Sequence, residues 1–386
     1  MINLFMPIWK NSGWGICGKN LALELSNLDK INIITPSDIR PEPIGDELEY
    51  AAISRLPINS IDASNFDKNE NRVMGVSIRI MNDLDLSLLM DDVLSEIVIG
   101  YTFYLGNPLT TEQKNSANQL NLIAAGSSYC ENRLNAAGIN NTTTIIQGIN
   151  PQIFNPANNE KNLLKDRFII FSGGKFEFRK GQDIVLKAFK IFSDRHPDAL
   201  LVNSWSNFWE FSINTMAESR LIDFSFDAKE PEKSYQQLYI NNDIDPKKVI
   251  TLPIKPPHQL SSIFKNSDVG LFPNRCEGGT NLILMEYMAC GKPAIATIRT
   301  GHADIVNPDN AFAIEKDSSV NPRHGNLSGY HGWVEPDIDE IVAHLETAYN
   351  DKEACRQKGR AAGEFLKNIT WKKAALEFYE AARQFQ

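Results

Sequence analysis

The sequence predicts an α/β protein built on two parallel sheets, and three observations carry that expectation. Short apolar runs of strand length recur along the 386 residues and alternate with stretches of helical periodicity. The connections between them are short, so successive strands return parallel through covering helices. A polar, proline-bearing stretch from Gly148-Ile149-Asn150-Pro151 to Asn158-Asn159 interrupts the series once and splits it into two sheets. A hydrophobic content of 42% with 23% charged residues supplies a core for each half.

In the first half the strand patterns fall at 2–6, 31–35, 73–76, 97–99, 122–125 and 144–147. Ser12-Gly13-Trp14-Gly15-Ile16-Cys17-Gly18 follows the first strand and leads into a helix over 19–25. Gly13, Gly15 and Gly18 fit the spacing of a dinucleotide loop, but the second strand ends in Thr35-Pro36, with no acid placed to meet a ribose. Tyr101-Thr102-Phe103-Tyr104 follows the strand at 97–99, where aromatic rings either stack on a sugar or fill the core.

In the second half the strands fall at 168–172, 199–203, 249–252, 269–272 and 293–297. The first of these runs into Gly173-Gly174 and then the basic pair Arg179-Lys180, ahead of a helix over 182–195 whose core face is Ile184, Leu186, Ala188, Phe189 and Phe192. Two cations held after a strand neutralise a leaving diphosphate. The strand at 269–272 ends in Pro273-Asn274 and opens into Cys276-Glu277-Gly278-Gly279-Thr280-Asn281. Gly278 and Gly279 let the backbone approach a ligand closely. The apolar run at 281–289 predicts a helix starting near Thr280 or Asn281, whose free N–H groups favour a phosphate. Glu277 precedes this helix and Glu286 lies within it; beside a phosphate, both carboxylates are suited to sugar and ribose hydroxyls. The plainer reading makes Glu277 a favourable helix-start acid and Glu286 a solvated helix residue.

Charge and composition narrow the partners. The net charge is −9, and acids outnumber bases ahead of the break, which argues against nucleic acid and anionic membrane as partners. Five cysteines, odd in number and without metal-ligand spacing, are expected to be reduced thiols of a cytoplasmic protein. Residues 1–7 lack a basic leader and are expected to form a strand, and no apolar run reaches membrane-spanning length. Asp83-Leu84-Asp85 and Asp243-Ile244-Asp245 match a metal-binding Asp-x-Asp, but neither follows a convincing apolar strand, so both are read as turns or caps. No metal or cofactor is expected.

The stretch from Cys276 to Pro293 resembles the E-x7-E signature of retaining glycosyltransferase family 4, among the glycosyl transferases group 1, down to the trailing Met-Ala-Cys-Gly-Lys-Pro. Glu277 and Glu286 stand one residue further apart than in that pattern, an insertion the Gly-Gly-Thr-Asn part absorbs. Residues 173–181 resemble the family's Gly-Arg-Leu-x-x-x-Lys-Gly element: Lys180 matches its lysine, and Arg179 stands in for its arginine, since Lys175 occupies the usual arginine position. The polar break is similar to the family's interdomain linker, and the loop at Gly13 and Gly15 to its first-domain glycine loop. Thr300-Gly301-His302-Ala303-Asp304 stands where the family commonly has Gly-Gly-x-x-Glu.

The resemblance implies the GT-B fold, two Rossmann-like domains whose parallel sheets face across a cleft. Residues 1–156 would form the acceptor domain and 157–370 the donor domain, with the amphipathic tail at 365–386 forming a helix that crosses back, from 371 to 386, to the first. It implies retaining, metal-independent transfer of a hexosyl group from a nucleotide-diphosphate sugar to a hydroxyl acceptor, a glycan or a small molecule. Glu277, Arg179 and Lys180 would be catalytic. Gly13, Gly15, Gly174, Gly278, Gly279, Thr280, Asn281, Leu282 and Glu286 would hold the donor, with Glu286 on its ribose, and Tyr101, Thr102 and His302 would meet the acceptor. The competing readings are a non-catalytic sugar-nucleotide-binding protein and an epimerase of the same fold.

Overall fold

The computed structural model describes residues 1–8, 12–36, 51–61, 72–207, 210–227, 229–322, 327 and 329–386. They form two compact units. The first comprises Met1–Asn150, Gly278–Leu282 and Asn368–Gln386; the second comprises Pro151–Glu277 and Ile283–Lys367.

The sheet of the first unit holds β1 (Ile2–Phe5), β2 (Ile31–Pro36), β3 (Ile58–Ile61), β4 (Arg72–Ile80), β5 (Leu94–Thr102), β6 (Leu122–Ala125) and β7 (Thr142–Thr144). Its order among the described residues is β3-β2-β1-β4-β5-β6-β7, every pair parallel. Central strands covered on both faces read as unbroken apolar runs, and β1 is buried along its whole length. The edges depart from the sequence expectation. β3, Ile-Asn-Ser-Ile, has too little apolar pattern to stand out. The last strand lies at Thr142–Thr144 and not at 144–147, because three β-branched threonines pair with Ile123, Ala124 and Ala125 at a half-buried edge.

Two helices of this unit, Gly13–Leu25 and Trp371–Arg383, pack on one another. Cys17, Leu21, Ala22 and Leu25 share a core with Ala374, Ala375, Phe378 and Ala382. The expected single tail helix over 365–386 is two: Phe365 lies in the last turn of the helix Lys352–Leu366, and Thr370, extended at φ −113°, caps a new helix by accepting from the Lys373 N–H. Ile149 N–H donates to the Ile369 carbonyl at 3.0 Å, and any side chain at Gly148 would collide with the Thr370–Trp371 backbone.

The second unit carries β8 (Phe168–Gly174), β9 (Ala199–Trp205), β10 (Val249–Thr251), β11 (Val269–Phe272), β12 (Ala294–Thr297) and β13 (Phe312–Ile314) in the parallel order β10-β9-β8-β11-β12-β13. An antiparallel pair, β14 (Asp317–Val320) with β15 (Trp333–Pro336), stands outside that sheet. The helix Gln182–Arg195 buries Ile184, Val185, Leu186, Ala188, Phe189 and Phe192 against the sheet and the helix Ile338–Asn350. Strand order reverses between β8 and β11, which pair at Val269–Ile170 and Gly270–Phe171. The segments that follow both strands therefore leave the same carboxyl edge at a topological switch point, where open α/β sheets bind ligands.

Both Asp-x-Asp fragments lie in turns. Asp85 accepts from the Ser87 N–H and hydroxyl, and Asp245 caps Pro246–Lys248 by accepting from the Lys247 N–H. None of the five cysteines forms a disulfide, and four are buried. Among the described residues no helix is long and apolar enough to cross a membrane.

Candidate active site

The segment after β8 is shaped from both ends. Gly174 takes φ +113°, and Phe176 anchors the turn in the core beside Trp205 and Tyr235. Gly181 takes φ +74°, and a side chain there would collide with the Pro273 carbonyl, so only glycine lets the segments after β8 and β11 approach this closely. Backbone bonds then join them: the Arg275 N–H donates to the Arg179 carbonyl at 2.9 Å.

A buried ion cluster fastens the same two segments. The Arg275 guanidinium bonds both Asp183 oxygens at 2.7 Å, both Glu335 oxygens at 2.7 Å and the Phe178 carbonyl at 2.7 Å, and it lies 3.7 Å over the Phe178 ring. Sequence reasoning missed Arg275. Its partners come from the helix Gln182–Arg195 and from β15, far along the chain, and no local pattern links them.

Arg179, Lys180 and Glu277 meet directly on this frame. Arg179 Nη1 lies 2.8 Å from Glu277 Oε2, and Lys180 Nζ lies 2.5 Å from Oε1. Arg179 Nη2 pairs with Glu177 at 2.6 Å, and the Asn274 amide donates to Glu277. The sequence reading gave Glu277 the sugar's hydroxyls and did not anticipate that its carboxylate engages both cations directly. Burial alone would raise its pKa, but the charges of Lys180 and Arg179 outweigh that and hold it at about 2. Burial also works against the Arg179 charge, and Glu277 and Glu177 more than compensate, so its pKa is raised. A carboxylate this acidic stays ionised at neutral pH. It is a poor base and a strong acceptor for hydroxyls, and it offers fixed negative charge to a developing cation.

The turn after β12 completes the surroundings. The Glu277 N–H donates to Thr300 Oγ1 at 3.0 Å, and its carbonyl accepts from the Gly301 N–H at 2.9 Å. His302 is fully buried with Nδ1 3.2 Å from the Thr297 carbonyl, and burial lowers its pKa to about 4, leaving the ring neutral.

The other expected residues fall as follows. An ideal Cβ on Gly174 would sit 3.9 Å from the Lys180 stem. Glu286 is buried in the helix Leu282–Ala289. That helix starts one residue later than expected after Asn281, because Asn281 takes φ +62° and so cannot be its first residue. Thr280 and Asn281 are buried, and Leu282 joins the core of the first unit.

Within the first unit, the Gly278 carbonyl accepts from Ser127 Oγ at 2.6 Å, and a side chain at Gly278 would collide with the Phe103 carbonyl. A Cβ on Gly279 would sit 2.8 Å from the Phe103 ring. Gly13 opens its helix, with no atom of the described residues within 4 Å of a Cβ built on it, and the Gly15 N–H donates to the capping Ser12 hydroxyl. Tyr101 is 1% exposed, its ring set among Trp14, Phe103 and Phe378 and its hydroxyl on the Ile145 carbonyl. Its faces are taken up by the core. Thr102 is fully buried as well.

Comparison with known proteins places this geometry. The glycosyl transferases group 1 family profile matches residues 154–365. D-inositol 3-phosphate glycosyltransferase of Paenarthrobacter aurescens (strain TC1) is 23% identical over 250 residues, 61% of this chain, and the chain spans about half of that relative's length, 50%. Sucrose-phosphate synthase from Thermosynechococcus elongatus superposes with a TM-score of 0.68 over 100% of this chain and 98% of its own, at 14% identity. Anabaena Alr3699/HepE, solved with UDP and glucose, does so with a TM-score of 0.66 over 99% of each chain, at 12% identity. The structural likenesses carry the fold, which is GT-B, and the profile carries the family: the chain belongs to the glycosyl transferases group 1.

Proposed function

We propose that the protein is a retaining, metal-independent glycosyltransferase that moves a hexosyl group from a nucleotide-diphosphate sugar to a hydroxyl acceptor, with the second unit as its donor-binding half. The observation that carries this reading is the contact of Arg179 and Lys180 with one ionised carboxylate, Glu277, at the switch point of the sheet. Family membership supports it, as do the Anabaena Alr3699/HepE structures, which hold UDP and glucose in one case and UDP-glucose in another.

The chemistry follows from charge. As the bond from the anomeric carbon to the diphosphate lengthens, negative charge grows on the departing oxygen and positive charge on the sugar. Arg179 and Lys180 meet the first, and Glu277, held ionised, meets the second while accepting from the sugar's hydroxyls. A carboxyl with a pKa of about 2 takes up no proton at neutral pH, so in this reading the departing phosphate accepts the acceptor's proton, and attack comes from the face the leaving group vacates. Glu286 serves the ribose. The four buried cysteines, none of them in a disulfide, suit a reducing compartment, and we assign the protein to the cytoplasm.

The test is a thermal-shift and turnover screen of the full chain against UDP-, GDP-, ADP- and TDP-sugars. A true donor raises the melting temperature by mass action and is consumed. Glu277→Gln separates this reading from a sugar-nucleotide sensor: an enzyme variant keeps nucleotide binding and loses turnover. If no nucleotide sugar shifts the transition, glycosyl transfer at this site is wrong.

A further inference from the structure

Thr300 holds a backbone conformation foreign to its residue type. Its φ is +54°, in the left-handed region, where a β-branched side chain is strained and glycine is not. What threonine adds over glycine at this point is a hydroxyl, and the hydroxyl is used twice. It donates to the Arg299 carbonyl at 2.7 Å and accepts the Glu277 N–H at 3.0 Å. The next residue, Gly301, donates its N–H to the Glu277 carbonyl at 2.9 Å. Consecutive residues of one turn thus grip the backbone of Glu277 on both of its polar groups. The pairing of β12 with β11 puts that turn beside the acidic segment, while Arg179, Lys180 and Asn274 hold the same residue by its carboxylate.

We propose that Thr300 is a positioning residue for the transfer reaction. Its hydroxyl fixes the backbone of Glu277, and through it the angle at which the carboxylate faces the donor sugar, and this task keeps a strained side chain where glycine would fit without strain. The inference rests on the glycosyl-transfer reading above. It adds a specific division of labour: Thr300 bonds the backbone of the sugar-facing acid and makes no bond of its own to the phosphate-facing cations. Loss of the hydroxyl is therefore felt in turnover and not in nucleotide affinity.

The experiment uses the full chain with whichever sugar among UDP-glucose, GDP-mannose, ADP-glucose and TDP-glucose the wild type turns over, and with the matching nucleoside diphosphate for affinity. Thr300→Gly removes the hydroxyl without introducing strain, so it folds; Thr300→Ser keeps the hydroxyl. The expected result is a kcat at least about tenfold lower for Thr300→Gly, a nucleoside-diphosphate Kd within about twofold of wild type, and a Thr300→Ser kcat within about threefold of wild type. Unchanged kcat in Thr300→Gly overturns the inference. So does a parallel loss of kcat and nucleotide affinity, which marks a merely structural role. A wild type that neither binds nor turns over any of the four sugars refutes the glycosyl-transfer reading itself, and the positioning role goes with it.

Discussion

Arg275 and Asp183 form a two-point ion pair with almost no access to solvent: Nη1 to Oδ1 and Nη2 to Oδ2 each measure 2.7 Å, and the side chains are 1% and 0% exposed. Burying two charges costs desolvation, which is recovered only when every donor and acceptor is used. Here Glu335, the Phe178 carbonyl and the Ser219 hydroxyl take up the remainder. The pair joins the start of the helix Gln182–Arg195 to the segment after β11, so it sets the distance between the basic pair and Glu277.

Breaking that pair strands a buried carboxylate. Arg275→Met is expected to destabilise the fold by about 3–5 kcal/mol, the usual consequence of removing one partner of a buried pair. Arg275→Lys is expected to recover little of it, because an ammonium cannot bond two carboxylates side by side. Urea denaturation followed by fluorescence checks both. A loss under about 1 kcal/mol for Arg275→Met would mean that the cluster is not holding the two segments together.

Gly181→Ala tests the approach of the same two segments. The φ of +74° disfavours any side chain, and the Pro273 carbonyl occupies the space it would need. The expected outcome is a destabilisation of at least about 1–3 kcal/mol together with weaker nucleotide binding, since Lys180 is the neighbouring residue. Calorimetric melting and titration with nucleoside diphosphates measure the two effects.

Acid lability follows from two depressed pKa values. His302 is held neutral by burial, with its pKa near 4 against an ordinary 6.5. The unfolded chain therefore binds more protons between those values, and this contribution to stability is complete above pH 6.5 and lost as pH falls toward 4. Glu277 is held ionised, at about 2 against 4.5, so its contribution is complete above pH 4.5 and lost toward pH 2. His302→Gln is expected to flatten the stability profile between pH 6.5 and 4 and to leave the fall below 4.5. Denaturant midpoints at half-unit pH intervals check this, and an unaltered slope in the upper window would contradict the assignment to His302.

Tyr101 separates a core ring from an acceptor contact. Tyr101→Phe removes the bond to the Ile145 carbonyl and is expected to cost about 1 kcal/mol, whereas Tyr101→Ala is expected to cost about 3–5 kcal/mol through the cavity it leaves. Turnover of the phenylalanine variant is expected to stay near wild type. A selective rise in acceptor KM would restore the acceptor role.

The parts of this fold that could be read from sequence are those with local physical signatures. β1, β8 and β11 are covered on both faces, so they appear as unbroken apolar runs, and the helix Gln182–Arg195 shows its core face at helical spacing. β3, β7 and β13 lie at sheet edges, and β13 is only three residues long, so neither length nor alternation marks them. Asn281 looked like a helix residue because a left-handed φ leaves no trace in an apolar pattern. Glycines, basic pair and acidic loop marked the neighbourhood of Arg179, Lys180 and Glu277, each motif being local. Their direct ion pairing, the Arg275 cluster and the grip of Thr300 on Glu277 depend on partners brought together only by the sheet.

The most direct test of the central claim is an experimental structure of the full chain with a bound nucleoside diphosphate. The account predicts phosphate oxygens about 2.7–3.0 Å from Lys180 Nζ and from the Arg179 guanidinium, with Glu277 turned toward the space the sugar would fill. A diphosphate bound elsewhere, with Arg179 and Lys180 still paired only to Glu277 and Glu177, would contradict it.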